Sequence, residues 1–330
     1  MKQTVAPSAL ILMYHRVTKL PSDPQLLSVS PHHFAEHLEV LRKYARPLRL
    51  QQLAQALRDG RIQPRGVVVT FDDGYADNLL NARPLLERYE VPATVFVTAG
   101  QLNGRQEFWW DELDRLFLQP GTRPATLSLT VAGHEHRWLL NGTAIYDAVA
   151  FERHRGWHVE RSDDPTARQA LYRAVYRLLH ALPAAEREAA VEALRMWAAV
   201  GLAGRPSHRP LTIVELCRLS ASDLIEIGSH TLSHPDLAAL SVADQRHEIH
   251  HSKARLEEIL GRQVASFAYP FGSGTSDTVA LVREAGYQYA CSSRPDVVWN
   301  DADPLRLTRV VVRDSDGDEF ARRLRYWLGG

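Results

Sequence analysis

The stretch Val67-Val68-Val69-Thr70-Phe71-Asp72-Asp73-Gly74-Tyr75 sets two adjacent carboxylates at the end of a β-branched run. Such a run reads as a buried strand, and the residues after it take a helical pattern from about Asp77. Strand ends of this kind are where parallel α/β proteins carry their chemistry. Neighbouring side chains on an extended chain point to opposite faces, so Asp72 and Asp73 are expected to do different jobs, one holding a metal and the other handling a proton. Taken alone, Asp-Asp-Gly is ordinary turn chemistry, and a solvated turn would be the stronger reading.

A second apolar segment, Leu224-Ile225-Glu226-Ile227-Gly228, runs into Ser229-His230-Thr231-Leu232-Ser233-His234-Pro235. Histidines four apart meet on one face if the segment turns helically. Two imidazoles and one carboxylate make a three-ligand zinc site with an open position, the pattern of hydrolytic rather than structural zinc. An isolated His-x-x-x-His pair is usually a surface feature. Beside a strand-end Asp-Asp-Gly it becomes a strong signal.

Several elements must position these groups. Leu10 to Tyr14 reads as a first strand, and Ser30-Pro31 opens a helix with Phe34, Leu38 and Leu41 at helical spacing. A short helix over 50–57 delivers the chain to the Val67 strand. A helix over 79–89, despite Pro84, and a strand over 91–97 complete a right-handed βαβ unit. From about Arg105 to Arg209 the pattern changes: a helix opens at Phe108-Trp109-Trp110, a hairpin forms around Gly133-His134, and 167–182 and 184–199 read as a helical pair. Beyond it come a helix over 213–219, the Ile225 strand, a helix from Ser241 to Gly261, and a strand over 265–269. A helix over 277–285, strands over 287–292 and 307–312 and a C-terminal helix close the chain. The count fits an α/β barrel with irregular closure over 1–104 and 211–330 and a mostly helical inserted lobe over 105–210. That lobe is expected to narrow the cleft beside the metal site.

With 330 residues, the chain exceeds the roughly 250 of a typical single barrel, and the insert absorbs the surplus. Lys+Arg and Asp+Glu both number 39, so the formal net charge is zero, with no electrostatic footprint for nucleic acid or an anionic membrane. The apolar run at Ala9 is too short for a transmembrane segment or a signal-peptide core. Cytoplasm is the default location, with an export signal already removed as the alternative. Cys217 and Cys291 sit among apolar neighbours and indicate no disulfide framework.

In three places the chain resembles the polysaccharide deacetylases of carbohydrate esterase family 4, the chitooligosaccharide-deacetylase homology domain. Thr70-Phe71-Asp72-Asp73-Gly74 resembles the first motif of that family, Ser229-His230-Thr231-Leu232-Ser233-His234 the second, and Phe267-Ala268-Tyr269-Pro270-Phe271-Gly272 the loop that supplies the oxyanion hole. The resemblance covers about 8–104 and 211–313 and implies a distorted (β/α) barrel. It further implies a metal-dependent deacetylase acting on an N-acetylated carbohydrate. Asp73, His230 and His234 would then bind Zn2+ or another divalent transition metal, and Asp72 would be the base that takes a proton from the attacking water.

For the oxyanion, proline cannot donate, which favours the N–H of Phe271. Many relatives place an arginine two residues before this proline to hold the catalytic aspartate. Here Ala268 stands in that position, and Arg309 is the candidate substitute, with a salt-bridged surface arginine an equal alternative. The family's usual general acid is a histidine in a C-terminal Leu-x-His motif, but no histidine follows His251. A subset including poly-N-acetylglucosamine deacetylases resembles a circular permutation with a Leu-x-Tyr-His pattern at the front, which Leu12-Met13-Tyr14-His15 matches. His15 is therefore the expected acid, against the plainer reading of a histidine capping a strand. Tyr269, Pro270, Trp109, Trp110 and Arg309 are placed on the substrate side, although core packing would account for at least one tryptophan. The alternatives are a related amidohydrolase, such as a deformylase of a lipid-linked amino sugar or a small-molecule amidase, and a carbohydrate-binding relative without catalysis. The intact Asp72, Asp73, His230 and His234 argue against the last.

Overall fold

The computed structural model describes residues 8–102 and 104–329; the first seven residues of the expected barrel span lie outside the described ones. Among the described residues nine strands form one sheet. They are β1 (Ser8–Tyr14), β2 (Arg46–Pro47), β3 (Gly66–Phe71), β4 (Ala93–Val97), β5 (Ile225–Ser229), β6 (Ser266–Ala268), β7 (Tyr289–Cys291), β8 (Val298–Trp299) and β9 (Val310–Val311). The order is β7-β6-β5-β4-β3-β1-β8, with β9 also on β1 and β2 on β3. Every pairing is parallel except β1 with β8.

The sheet curls into a distorted (β/α) barrel, and the stretch 307–311 brings its edges together. Leu307 bridges Cys291 of β7, while Val310 and Val311 pair with Leu12 and Met13 of β1. Only two residues of the strand expected over 307–312 form a ladder, because the stretch is shared between two edges. Every residue of β3 and β4 is buried, as expected for strands covered on both faces. Leu10, Leu12, Val67, Val69 and Phe71 pack outward against helices such as Pro31–Tyr44. Ile11, Val68, Phe96, Ala268, Cys291 and Leu307 form a second cluster with Leu50, Leu53 and Leu57 of helix Leu50–Arg58. Arg46 and Pro47 pair with Gly66 and Val67, so this helix lies at the N-terminal end of the strands.

Parallel register fixes the opposite rim. Tyr14 pairs with Phe71, Phe71 with Val95, Val97 with Ser229, and Ser229 with Phe267. The residues just beyond these strand ends therefore converge.

The chain divides into two compact units, one comprising 1–19, 27–104 and 211–330 and the other 20–26 and 105–210. The segment 20–26 belongs to the second unit, although its sequence reads as a loop of the barrel. Within that unit the hairpin Thr126–Val131/His134–Leu139 turns through Ala132 and Gly133, both at positive φ as a two-residue hairpin loop requires. Helix Ala184–Ala198 packs against the hairpin and helix Ala167–His180 against Ala184–Ala198, with two further short strands at Gly121–Thr122 and Ile145–Tyr146. Among the described residues no helix is long and apolar enough to cross a membrane.

Candidate active site

Asp72 and Asp73 are both buried just past the end of β3. They diverge for a sharper reason than strand alternation: Asp73 takes a left-handed backbone, φ +73°, followed by Gly74 at +83°. A side chain at Gly74 would come within 3.0 Å of Val97 Cγ1, so the turn is closed to larger residues there. Asp72 N–H donates to Tyr14 O of the neighbouring strand (3.0 Å), and Asp73 O accepts from Thr98 N–H (3.2 Å). The turn is thus anchored on both sides.

The two histidines converge from a loop, not from the helical turn their spacing suggested. His230 N–H donates to Val97 O, and Thr231 and His234 both adopt positive φ. Thr231 Oγ1 accepts from His234 N–H (3.0 Å), folding the loop back. Glu248, on helix Val242–Leu260, accepts from the N–H groups of Leu232 (2.8 Å) and Ser233 (3.0 Å) and from the Ser233 hydroxyl (2.6 Å). Sequence reading missed Glu248, since an acidic residue amid a polar helix carries no signal without the loop it meets.

Candidate ligand atoms of Asp73, His230 and His234 lie within 4.8 Å of one another. Asp73 Oδ1 is 3.6 Å from His230 Nε2 and 3.3 Å from His234 Nε2. A tetrahedral zinc site with bonds of about 2.1 Å has ligand–ligand edges of about 3.4 Å, so the spacing fits such an ion. Burial lowers the pKa of His230 to about 4, with His234 adding to it against the pull of Asp72 and Asp73, so the ring is neutral near pH 7. Its Nδ1 faces Ala268 O at 2.8 Å, and a carbonyl only accepts; Nδ1 therefore carries the proton and Nε2 is bare. The contact with Asp73 Oδ1 sets a lone pair against a carboxylate oxygen, and that buried oxygen receives no hydrogen bond. A cation between them satisfies both.

Arg309 is fully buried and forks onto Asp72, Nη1 to Oδ1 and Nη2 to Oδ2, both at 2.7 Å. Burial would raise the Asp72 carboxyl, but Arg309 first and His230 next outweigh it and hold the pKa well below the usual carboxylate range. The surface-arginine alternative is overturned, and so is a substrate-contacting Arg309, because both ends of its fork are spent on Asp72. Asp73, with no such partner, is raised by burial.

His15 follows β1 and is half-buried; burial lowers its pKa while the carboxylates of Asp73 and Asp72 pull it back up. Phe271 also has a left-handed backbone, φ +57°, and its ring stands edge-on to His234 with centroids 4.6 Å apart. Tyr269 is buried with its hydroxyl on Leu305 O (2.8 Å), and Pro270 is buried beside it. These two shape the loop rather than present side chains to a sugar. The tryptophans are likewise corrected: Trp110 stacks on Phe108 at 4.8 Å, and Trp109 packs against Trp110 and Tyr176 under the Arg187 guanidinium. Both rings are buried in the core of the second unit, with no free face for stacking on substrate.

A distorted (β/α) barrel thus carries an aspartate and two histidines at its C-terminal rim. The sequence matches the family described as Polysaccharide deacetylase over residues 59–121 and 208–290. It is similar to a Bacillus subtilis protein named as a polysaccharide deacetylase, YxkH, at 20% identity over 313 residues, which cover 94% of this chain and 74% of that one. Over 114 residues, 31% of this chain, it is 32% identical to the poly-beta-1,6-N-acetyl-D-glucosamine N-deacetylase of Staphylococcus aureus. That match spans 39% of the relative's own length. Among solved structures, Streptococcus pyogenes deacetylase PplD in complex with acetate shares the fold, with TM-score 0.60 and 16% identity over 97% of this chain and 99% of that chain.

Proposed function

We propose that this protein is a metal-dependent hydrolase that removes the acetyl group from an N-acetylated sugar. The observation that carries the reading is the bare His230 Nε2 facing the hydrogen-bond-free Asp73 Oδ1, a pair that asks for a cation. A divalent ion bound by Asp73, His230 and His234 would polarise the amide carbonyl and acidify water. The chain's own residues do the rest. Asp72, kept ionised by Arg309, accepts the proton of the attacking water. The N–H of Phe271 donates to the oxygen on which negative charge develops. His15, whose pKa burial lowers against the opposing pull of Asp73 and Asp72, delivers a proton to the departing amine.

The name of the Staphylococcus aureus relative makes β-1,6-linked N-acetylglucosamine oligomers the first substrates to test. Purified protein is incubated with them, and free amine and acetate are both measured, with N-formyl oligomers and simple amides alongside. Acetate release in step with amine supports deacetylation. Turnover confined to formyl or small amide substrates would reassign the enzyme among amidohydrolases, and no turnover with a full metal complement would refute the catalytic reading.

A further inference from the structure

The turn after the Asp72-Asp73-Gly74 corner departs from α-helical geometry. Residues Asn78–Ala82 form a π turn, closed by Arg83 N–H on Asn78 O, before the helix restarts at Arg83–Tyr89 with Pro84 in its first turn. Such turns are rare and concentrate at functional sites. From this turn and the residue before it, side chains reach three consecutive residues just past the end of β1. Asn78 Nδ2 donates to His15 O at 2.9 Å. Asp77 accepts from Arg16 Nε at 3.1 Å and from Val17 N–H at 3.0 Å, one on each oxygen. Asn81 Nδ2 donates to Val17 O at 2.8 Å. Asn78 and Arg16 are each only 1% exposed, and the Arg16 guanidinium lies over the Tyr75 ring at 4.2 Å.

We infer that Asp77 and Asn78 are positioning residues for His15, clamping its backbone to the same turn that carries Asp72 and Asp73; this rests on reading His15 as the proton donor. The clamp answers a geometric need. His15 lies between the last β1–β3 pair, Tyr14 with Phe71, and the short parallel ladder of Arg16 and Val17 with Ser28 and Val29, and neither pairing includes it. A proton donor must sit within hydrogen-bond reach of the leaving nitrogen, and a misplacement of about 1 Å can cost about a hundredfold in rate. Charged and amide side chains with buried, two-point hydrogen bonding give a stiffer hold than a free loop. Because the clamp springs from the residues following Asp73, it ties the acid to the short segment that carries the base and the candidate ligand. Arg16 and Val17 then hold the chain past β1, while Asn78 donates to His15 itself.

The test is a double-mutant cycle on kcat and KM with metal content measured in every variant. Asn78→Ala is expected to lower kcat about ten- to a hundredfold with KM and metal content unchanged. Placed on His15→Ala, the same change should add less than about a twofold loss, because a clamp has nothing left to position. Losses that multiply across the pair, or a wild-type kcat in Asn78→Ala, would overturn the proposal and leave a purely structural turn. Should Asn78→Ala not fold, Asp77→Asn, which keeps the shape and removes one acceptor, is carried through the same cycle with the same two outcomes. A wild-type rate in His15→Ala alone would instead refute the proton-donor reading, which separates that failure from failure of the clamp.

Discussion

Arg309→Met isolates the electrostatics of the proposed base. In the native protein two buried groups share two 2.7 Å hydrogen bonds, and removing the cation leaves Asp72 as a buried carboxylate without its counter-charge. Breaking such a pair costs about 3–5 kcal/mol when the charge must stay. The carboxyl relieves that cost by binding a proton, and at about 1.4 kcal/mol per unit its pKa rises by about two to four units. A base must be ionised, so the acid limb of kcat/KM should move upward by about two to four pH units, with activity falling about tenfold per unit below it. Stability relative to wild type should fall most above the raised pKa, where Asp72 is ionised without its counter-charge. Adding Asp72→Asn removes the orphaned charge and should restore most of that stability while leaving activity abolished. The assay is a pH–rate profile carried down to about pH 3, with denaturant melts of the single and double variants. An unmoved acid limb in Arg309→Met would refute the argument that Arg309 keeps the base ionised.

Three further outcomes follow from particular contacts. Glu248→Ala frees the N–H groups of Leu232 and Ser233 and should weaken metal affinity about ten- to a hundredfold, read by competition with a chelator, while the fold persists; unchanged affinity would contradict its role in holding the histidine loop. His15→Ala should lower turnover about a hundred- to ten-thousandfold at unchanged metal content, and least for substrates whose leaving amine is weakly basic. His37, buried between Tyr14 and the Ser315 carbonyl and stacked on Phe320, has its pKa lowered by burial from the ordinary 6.5 to about 4. Its folded pKa lies below the unfolded one, so its contribution is intact above about pH 6.5 and is lost as pH falls toward 4. The loss totals about 3 kcal/mol, and the stability difference between wild type and His37→Gln should shrink over that window.

Much of the site was legible because local patterns carried it. The β-branched run into Asp72-Asp73-Gly74, the apolar segment into His230 and the strand into Tyr269 each announce a strand end, and parallel register does the gathering. The helix from Ser241 to Gly261 was readable from its ends: the Ser241 hydroxyl accepts from Asp244 N–H and Gly261 takes a left-handed backbone. Other features depend on partners far away in sequence. Burial of Arg309 follows from its place in the barrel closure between β7 and β1, which a short, irregular pairing does not advertise. The histidine pair has helical spacing, yet Glu248 and two left-handed residues hold it as a loop. Expecting one continuous helix over 79–89 missed the π turn, because Pro84 is compatible with a helix start and side-chain hydrogen bonds, not apolar periodicity, hold the preceding residues. Cys217 is exposed because, of its apolar neighbours, Leu216 and Leu219 face the core while Ile213 and Val214 lie exposed on its own side of helix Ile213–Ser220.

The most direct test of the account is the metal content of the folded chain. Wild-type protein dialysed against trace zinc and analysed by mass spectrometry of the elements should hold about one equivalent of divalent metal per chain. Asp72→Asn should keep that equivalent and lose turnover, whereas Asp73→Ala should lose both. A wild type that takes up no divalent ion while remaining folded, or an Asp73→Ala variant with full occupancy, would contradict the assignment of Asp73, His230 and His234 as a metal site.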